Sequence, residues 1–122
     1  MTLERFFILA AGLCGAAGVA LAATAAHQGG GNLATAAQFL LFHAPAVLAI
    51  GLAGGTLALR TGGSVLLAGL ALFAGDLTMR HYAGTALFAF AAPTGGTLMI
   101  AGWLLIGLSA LRRGPPPAAG RD

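Results

Sequence analysis

Charged residues are scarce in this chain, and lysine is absent. Its 122 residues include six arginines and three acidic residues, whereas 58% of the chain is hydrophobic. With a mean hydropathy of +0.91, the chain has too little polar surface to cover a water-soluble globule. We therefore expect a single domain that lies in a lipid bilayer.

The scarcity of cysteine and the lack of known catalytic motifs exclude further classes of protein. The single cysteine, Cys14, has no partner for an intramolecular disulfide and is expected to act as a small buried hydrophobe. The arginines stand at the ends of apolar runs and not in a patch with aromatic residues, so we expect no nucleic-acid partner. Phosphate-binding loops, Cys-x-x-Cys motifs and nucleophile elbows are missing from the sequence. We therefore expect no catalytic residues and a protein that is not an enzyme.

Four apolar runs predict four transmembrane helices, at residues 6–27, 35–59, 64–82 and 93–111. A helix needs roughly 20 apolar residues to cross the hydrocarbon core. The glycines at 29–31 separate the first two runs, and Arg60-Thr61-Gly62-Gly63 is interpreted as the second connection. A secretory signal peptide is the alternative for the first run, which is long for that role. The prediction is an all-α integral membrane bundle over residues 1–114, followed by a mobile Pro-rich tail at 115–122.

The distribution of arginine predicts the orientation. Four spans place both termini on one side of the membrane, together with five of the six arginines: Arg5, Arg60, Arg112, Arg113 and Arg121. Only Arg80 lies on the opposite side. Because cytoplasmic loops carry the excess of positive charge, we expect both termini in the cytoplasm.

Glycines within the spans predict close contacts between helices, since small side chains let two backbones approach each other. Gly51 and Gly55 form a Gly-x-x-x-Gly pair, and Gly95 and Gly96 lie in the fourth span. The Gly51/Gly55 pair fits packing within one four-helix monomer or a seam between two copies.

The polar side chains within the spans are expected to collect in the outer half of the membrane: His27, His43, Asp76, Arg80 and His81. A carboxylate at such a depth needs a partner or a proton. Arg80 follows Asp76 by four residues and shares its helix face, which predicts a local ion pair. The alternative brings His43 from the second span to Asp76, which would create a ligand-binding or proton-responsive site.

Histidines in a membrane also suggest zinc or haem. The three histidines form no closely spaced ligand pair, and His43 is expected deeper than His27 and His81. We therefore expect no metal and no cofactor.

Four short motifs occur in the order of a known family. They are the end of the first span at Gly18–His27, then Phe42-His43-Ala44, Leu72–Leu77, and Ala92–Gly96 followed by Gly102-Trp103. In these motifs the chain resembles the domain-of-unknown-function family 423, small bacterial inner-membrane proteins. The resemblance implies a four-helix membrane fold and no particular reaction. The chain departs from the family's pattern at two points. The family has a longer segment between the first two histidines, and it has a small polar residue at the position of Asp76.

These observations favour a structural or accessory subunit of the bacterial inner membrane. Its expected partners are membrane lipid and a larger membrane complex or further copies of the chain. The alternative is a binding or transport module for a small or lipophilic, quinone-like ligand held by the outer His/Asp/Arg cluster.

Overall fold

The computed structural model describes residues 1–112 and 119–120, and its fold consists of four long helices. They are α1 (Leu3–Gln28), α2 (Gly31–Ala53), α3 (Leu57–Ala83) and α4 (Ala91–Ser109), followed by a short 3-10 turn at Ala110–Arg112. Each is long and apolar enough to cross a membrane. The predicted all-α architecture with four membrane spans is confirmed. Most of the predicted tail at 115–122 lies outside the described residues.

Local chemistry explains where the helices begin and end. The hydroxyls of Thr2 and Thr56 accept backbone N–H groups in the first turns of α1 and α3, as N-cap residues do. Gly29 and Gly84 adopt left-handed conformations just after α1 and α3, where glycine avoids the steric cost of a Cβ atom. Short connections follow, at residues 29–30, 54–56 and 84–90.

The predicted boundary between the second and third spans, at residues 59–64, was wrong. Helix α2 ends at Ala53, and Arg60 lies in the first turns of α3. Gly54 and Gly55 both have positive φ values, of 62° and 103°, so they form the reversal there. The turn was missed in the sequence because Leu57 and Leu59 follow it directly, so the apolar run shows no break there. Pro45 lies inside α2, which continues through it.

The bundle is built from two antiparallel hairpins. Helix α1 contacts α2, and α3 contacts α4; the two hairpins meet mainly through α2 and α3. One cluster of buried apolar residues lies between α2, α3 and α4: Ala36, Leu40, Leu66, Leu70, Ala74, Leu77 and Met99. A second lies near the terminal end of the bundle: Phe7, Ala11, Val47, Ile50 and Leu59.

Large apolar side chains remain exposed on the outside of every helix, including Leu13, Phe42, Met79 and Leu104. Such a surface suits lipid and not water. The start of α1 and the end of α4 lie at the same end of the bundle, since Glu4 contacts Arg60 and Gly62 lies against Ile106. We call this the terminal end, and the other the opposite end.

Candidate functional site

His43 lies on α2 with its ring buried between helices. Its Nδ1 is 2.7 Å from the Phe39 carbonyl oxygen, and its Nε2 is 3.2 Å from Nε1 of Trp103 on α4. A carbonyl can only accept and an indole N–H can only donate. The neutral tautomer with the proton on Nδ1 satisfies both contacts, so every polar atom of the ring has a partner.

Asp76 lies on α3 and is fully buried. Its Oδ2 accepts a hydrogen bond from Nε of Arg80 at 2.8 Å, as the spacing of four residues predicts. Its Oδ1 accepts the backbone N–H of Leu87 at 2.7 Å, a contact that the sequence did not indicate. The carboxylate therefore neutralises Arg80 and also fixes the connection between α3 and α4.

The structure does not bring His43 to Asp76. The helical rise from Ala53 back to His43 is ~15 Å, whereas the rise from Leu57 to Asp76 is ~28 Å. His43 thus lies near the middle of the bundle, and Asp76 lies close to the opposite end. The alternative of a shared His43–Asp76 site was wrong because α2 ends at Ala53 and not at residue 59, which moves His43 toward the terminal end.

The two remaining histidines of the predicted cluster lie at the opposite end. His81 Nε2 is 3.1 Å from the side-chain oxygen of Gln28, a contact that ties α3 to α1. His27 is exposed in the last turn of α1. The five predicted residues therefore divide into an Asp76–Arg80 pair and three histidines with separate surroundings.

An ion pair between α1 and α3 was not predicted. Nη2 of Arg60 donates to Oε1 of Glu4 at the terminal end, and both side chains are partly exposed. The signal was present in the sequence, since Glu4 is the only acidic residue outside Asp76 and Asp122. Arg60 was interpreted as a residue of the connection, so its pairing across helices was missed.

The buried polar side chains of the described residues are engaged in contacts within the bundle. Over residues 1–112 and 119–120, no group of three or more His, Cys, Asp or Glu side chains could hold a metal ion. Both oxygens of Asp76 and both ring nitrogens of His43 are already engaged. These contacts hold helices and a connection in place.

The predicted packing glycines differ in their surroundings. A Cβ atom on Gly51 would lie 3.0 Å from the Glu4 carbonyl oxygen, so this glycine seats α2 on α1 within the monomer. Gly55 lies in the turn after α2 and has no helix partner, so the Gly51/Gly55 pair is not a packing motif. Gly95 touches the backbone of α3, whereas Gly96 has no atom within 4 Å of the Cβ position. The prediction for Gly55 and Gly96 was wrong.

Comparison with known proteins places the chain among membrane proteins. It is 27% identical over 118 residues to a UPF0382 membrane protein of Staphylococcus haemolyticus, a match that covers 88% of this chain and 97% of the relative. No solved structure matches the chain. The family described as "Protein of unknown function (DUF423)" matches residues 10–96, which is more than half of the sequence. The chain therefore belongs to the DUF423 family of membrane proteins.

Proposed function

We propose that the protein is an accessory subunit that packs against a larger protein complex in the bacterial inner membrane. The connections between its helices are short, and many of the described polar side chains form hydrogen bonds within the bundle, either to backbone atoms or to one another. The lipid-facing surface of the helices is therefore the main surface available to a partner. A role without catalysis fits a bundle whose buried polar groups serve internal contacts.

One observation carries this proposal: the outward face of α1. Helix α1 packs its backbone against α2 alone, as α4 packs against α3 alone. Gly12, Ala16 and Ala23 are exposed on its outward face, and no atom lies within 4 Å of a Cβ on Gly12. Small side chains on a lipid-facing helix allow another helix backbone to come close, where van der Waals packing and interhelical contacts drive association.

Affinity purification of the full chain in a mild detergent tests this proposal. We expect a large membrane protein to copurify at a fixed stoichiometry with the wild type, and G12F to lose most of it because the ring blocks the approach of the partner helix. The matched control is G107F on α4, where a Cβ also has nothing within 4 Å. A wild-type protein that elutes alone or only with further copies of itself would contradict the proposal, as would an intact complex in G12F.

We also propose that both termini face the cytoplasm. Support comes from the terminal end, which carries Arg5, Arg60 and Arg112 among the described residues, whereas Arg80 lies near the opposite end. Reporter fusions test the orientation. Fusions after Asp122 and before Met1 are expected to show cytoplasmic activity, and a fusion in the connection at residues 84–90 is expected to show external activity. The reverse pattern would refute the orientation.

The alternative role as a module for a small or lipophilic ligand at an outer His/Asp/Arg cluster receives no specific support. His43 lies away from Asp76. The carboxylate of Asp76 already accepts hydrogen bonds from the Arg80 side chain and the Leu87 N–H. A headgroup would have to displace both contacts to bind there.

A further inference from the structure

Helices α1 and α3 run beside each other but stay apart through the middle of the bundle. No Cα atom of α1 lies within 8 Å of one in α3. Polar side chains nevertheless join the two helices at both ends, through Glu4 and Arg60 at the terminal end and through Gln28 and His81 at the opposite end. The two helices therefore flank a slot that is closed at its ends.

This slot is an open groove of about 780 Å³ on the lipid-facing side of the bundle. Helix α1 contributes Leu13, Ala17 and Ala20 to its walls, and α3 contributes Ala71, Ala74 and Gly75. Leu40 of α2 forms its floor. Nearly all of the lining is apolar, and Tyr82 lies at the end nearest the Gln28–His81 pair.

The sequence explains why the slot stays open. At the terminal end the ring of Phe7 reaches Gly63 and fills the space between the hairpins. Farther along, α1 and α3 carry short side chains at five of the positions that line the slot: Ala17, Ala20, Ala71, Ala74 and Gly75. The helices cannot close the gap, because Gly18 seats α1 against Leu40 and Leu41 of α2.

The size and the apolar lining of the slot indicate which kind of molecule can occupy it. An empty space of this size would deprive its walls of dispersion contacts, and water would find almost no polar partners there. A transmembrane helix is 10–12 Å across with its side chains, too wide to enter between helices whose ends are joined by hydrogen-bonded side chains. An extended hydrocarbon chain is narrow enough, and it matches the apolar walls.

We propose that the slot between α1 and α3 binds the hydrocarbon chain of a membrane phospholipid. The chain enters sideways from the bilayer, and the headgroup lies at the opposite end, near Tyr82 and the Gln28–His81 pair. The wall of α3 from Ala71 to Tyr82 rises ~16 Å, which is about half of the ~30 Å hydrocarbon core. The slot thus matches one leaflet, the leaflet at the opposite end. This site is separate from the outward face of α1, which carries the proposed partner contact.

Native mass spectrometry of the full chain, purified from membranes in a mild detergent, tests the site. We expect one phospholipid to remain on the wild type. In A17F the ring fills the slot, and lipid retention is expected to fall about tenfold, which corresponds to ~1.4 kcal/mol. The control is A16F, which places the same ring on the neighbouring exposed position outside the slot. Equal retention in A17F and A16F, or no retained lipid on the wild type, would overturn the proposal.

Cys14 provides a second measurement that needs no substitution, since it is the chain's single cysteine and lines the slot. After delipidation, adding dioleoyl phosphatidylethanolamine is expected to slow alkylation of Cys14 by N-ethylmaleimide about tenfold. An unchanged rate would contradict lipid in the slot. If G12F loses the copurifying partner but retains lipid normally, the partner surface and the lipid slot are two separate sites. The two proposals can then fail independently of each other.

Discussion

Replacing Gly95 with alanine is expected to disrupt the packing of α3 against α4. A Cβ atom at this position would lie 2.6 Å from the Phe73 backbone nitrogen and 2.8 Å from the Gly69 carbonyl oxygen. Both atoms belong to the backbone of α3, so no side-chain rotation relieves the clash. The helices must separate, and we expect G95A to lower the free energy of unfolding by ~2 kcal/mol or more. Unfolding in mixed micelles with rising dodecyl sulfate, followed by circular dichroism, measures the change.

Gly96 supplies the matched control, because it is the next residue in the same helix and has no atom within 4 Å of the Cβ position. Alanine is the better helix former by roughly 0.5–1 kcal/mol. G96A should therefore leave stability unchanged or raise it slightly. Equal stability of G95A and G96A would show that α3 and α4 are not in backbone contact at this point.

The second large effect is expected at Asp76. D76A removes the partner of Arg80 and leaves the Leu87 N–H without its acceptor. Arg80, whose side chain is 40% exposed, then lacks its counter-ion, and an N–H group without an acceptor in an apolar setting costs ~1–3 kcal/mol. We therefore expect the midpoint of thermal unfolding in detergent to fall by about 10 °C. The connection at residues 84–90 should also loosen, since it contains Phe90 with a φ of 65°, a strained conformation for a non-glycine residue.

D76N separates the two roles of the carboxylate. Its amide oxygen can still accept the Leu87 N–H, whereas the ion pair with Arg80 is lost. We expect D76N to keep the connection protected in hydrogen exchange and D76A to expose it. If both variants exchange equally fast at Leu87, the Oδ1 contact does not hold the connection.

The sequence predicted the number and type of the spans because apolar length is a local property that a window of residues reveals. It failed at the second turn, where charge was taken as the mark of a span's end. Arg60 lies inside α3 and meets Glu4 from another helix, a pairing that no local pattern encodes. The turn itself was signalled by Gly54 and Gly55, but Gly55 was interpreted as one half of a Gly-x-x-x-Gly packing pair.

The candidate site was predicted where contacts are local and missed where they cross helices. The Asp76–Arg80 pair follows from a spacing of four residues on one helix. The partners of His43 and His81 depend on how the hairpins meet, and the level of His43 shifted once α2 was seen to end at Ala53. Trp103 was a usable signal, since the chain has a single tryptophan and an indole N–H within an apolar span needs an acceptor.

The contact between His43 and Trp103 makes one charge state of the imidazole incompatible with the assembled bundle. An imidazolium carries a proton on each nitrogen, so its Nε2 would point a hydrogen at the indole N–H and both groups would be donors. Helices α2 and α4 can keep this bridge only while the ring is uncharged. A charged ring would therefore have to give up the indole hydrogen bond, and α2 and α4 would lose the side-chain link that joins them across the hairpins.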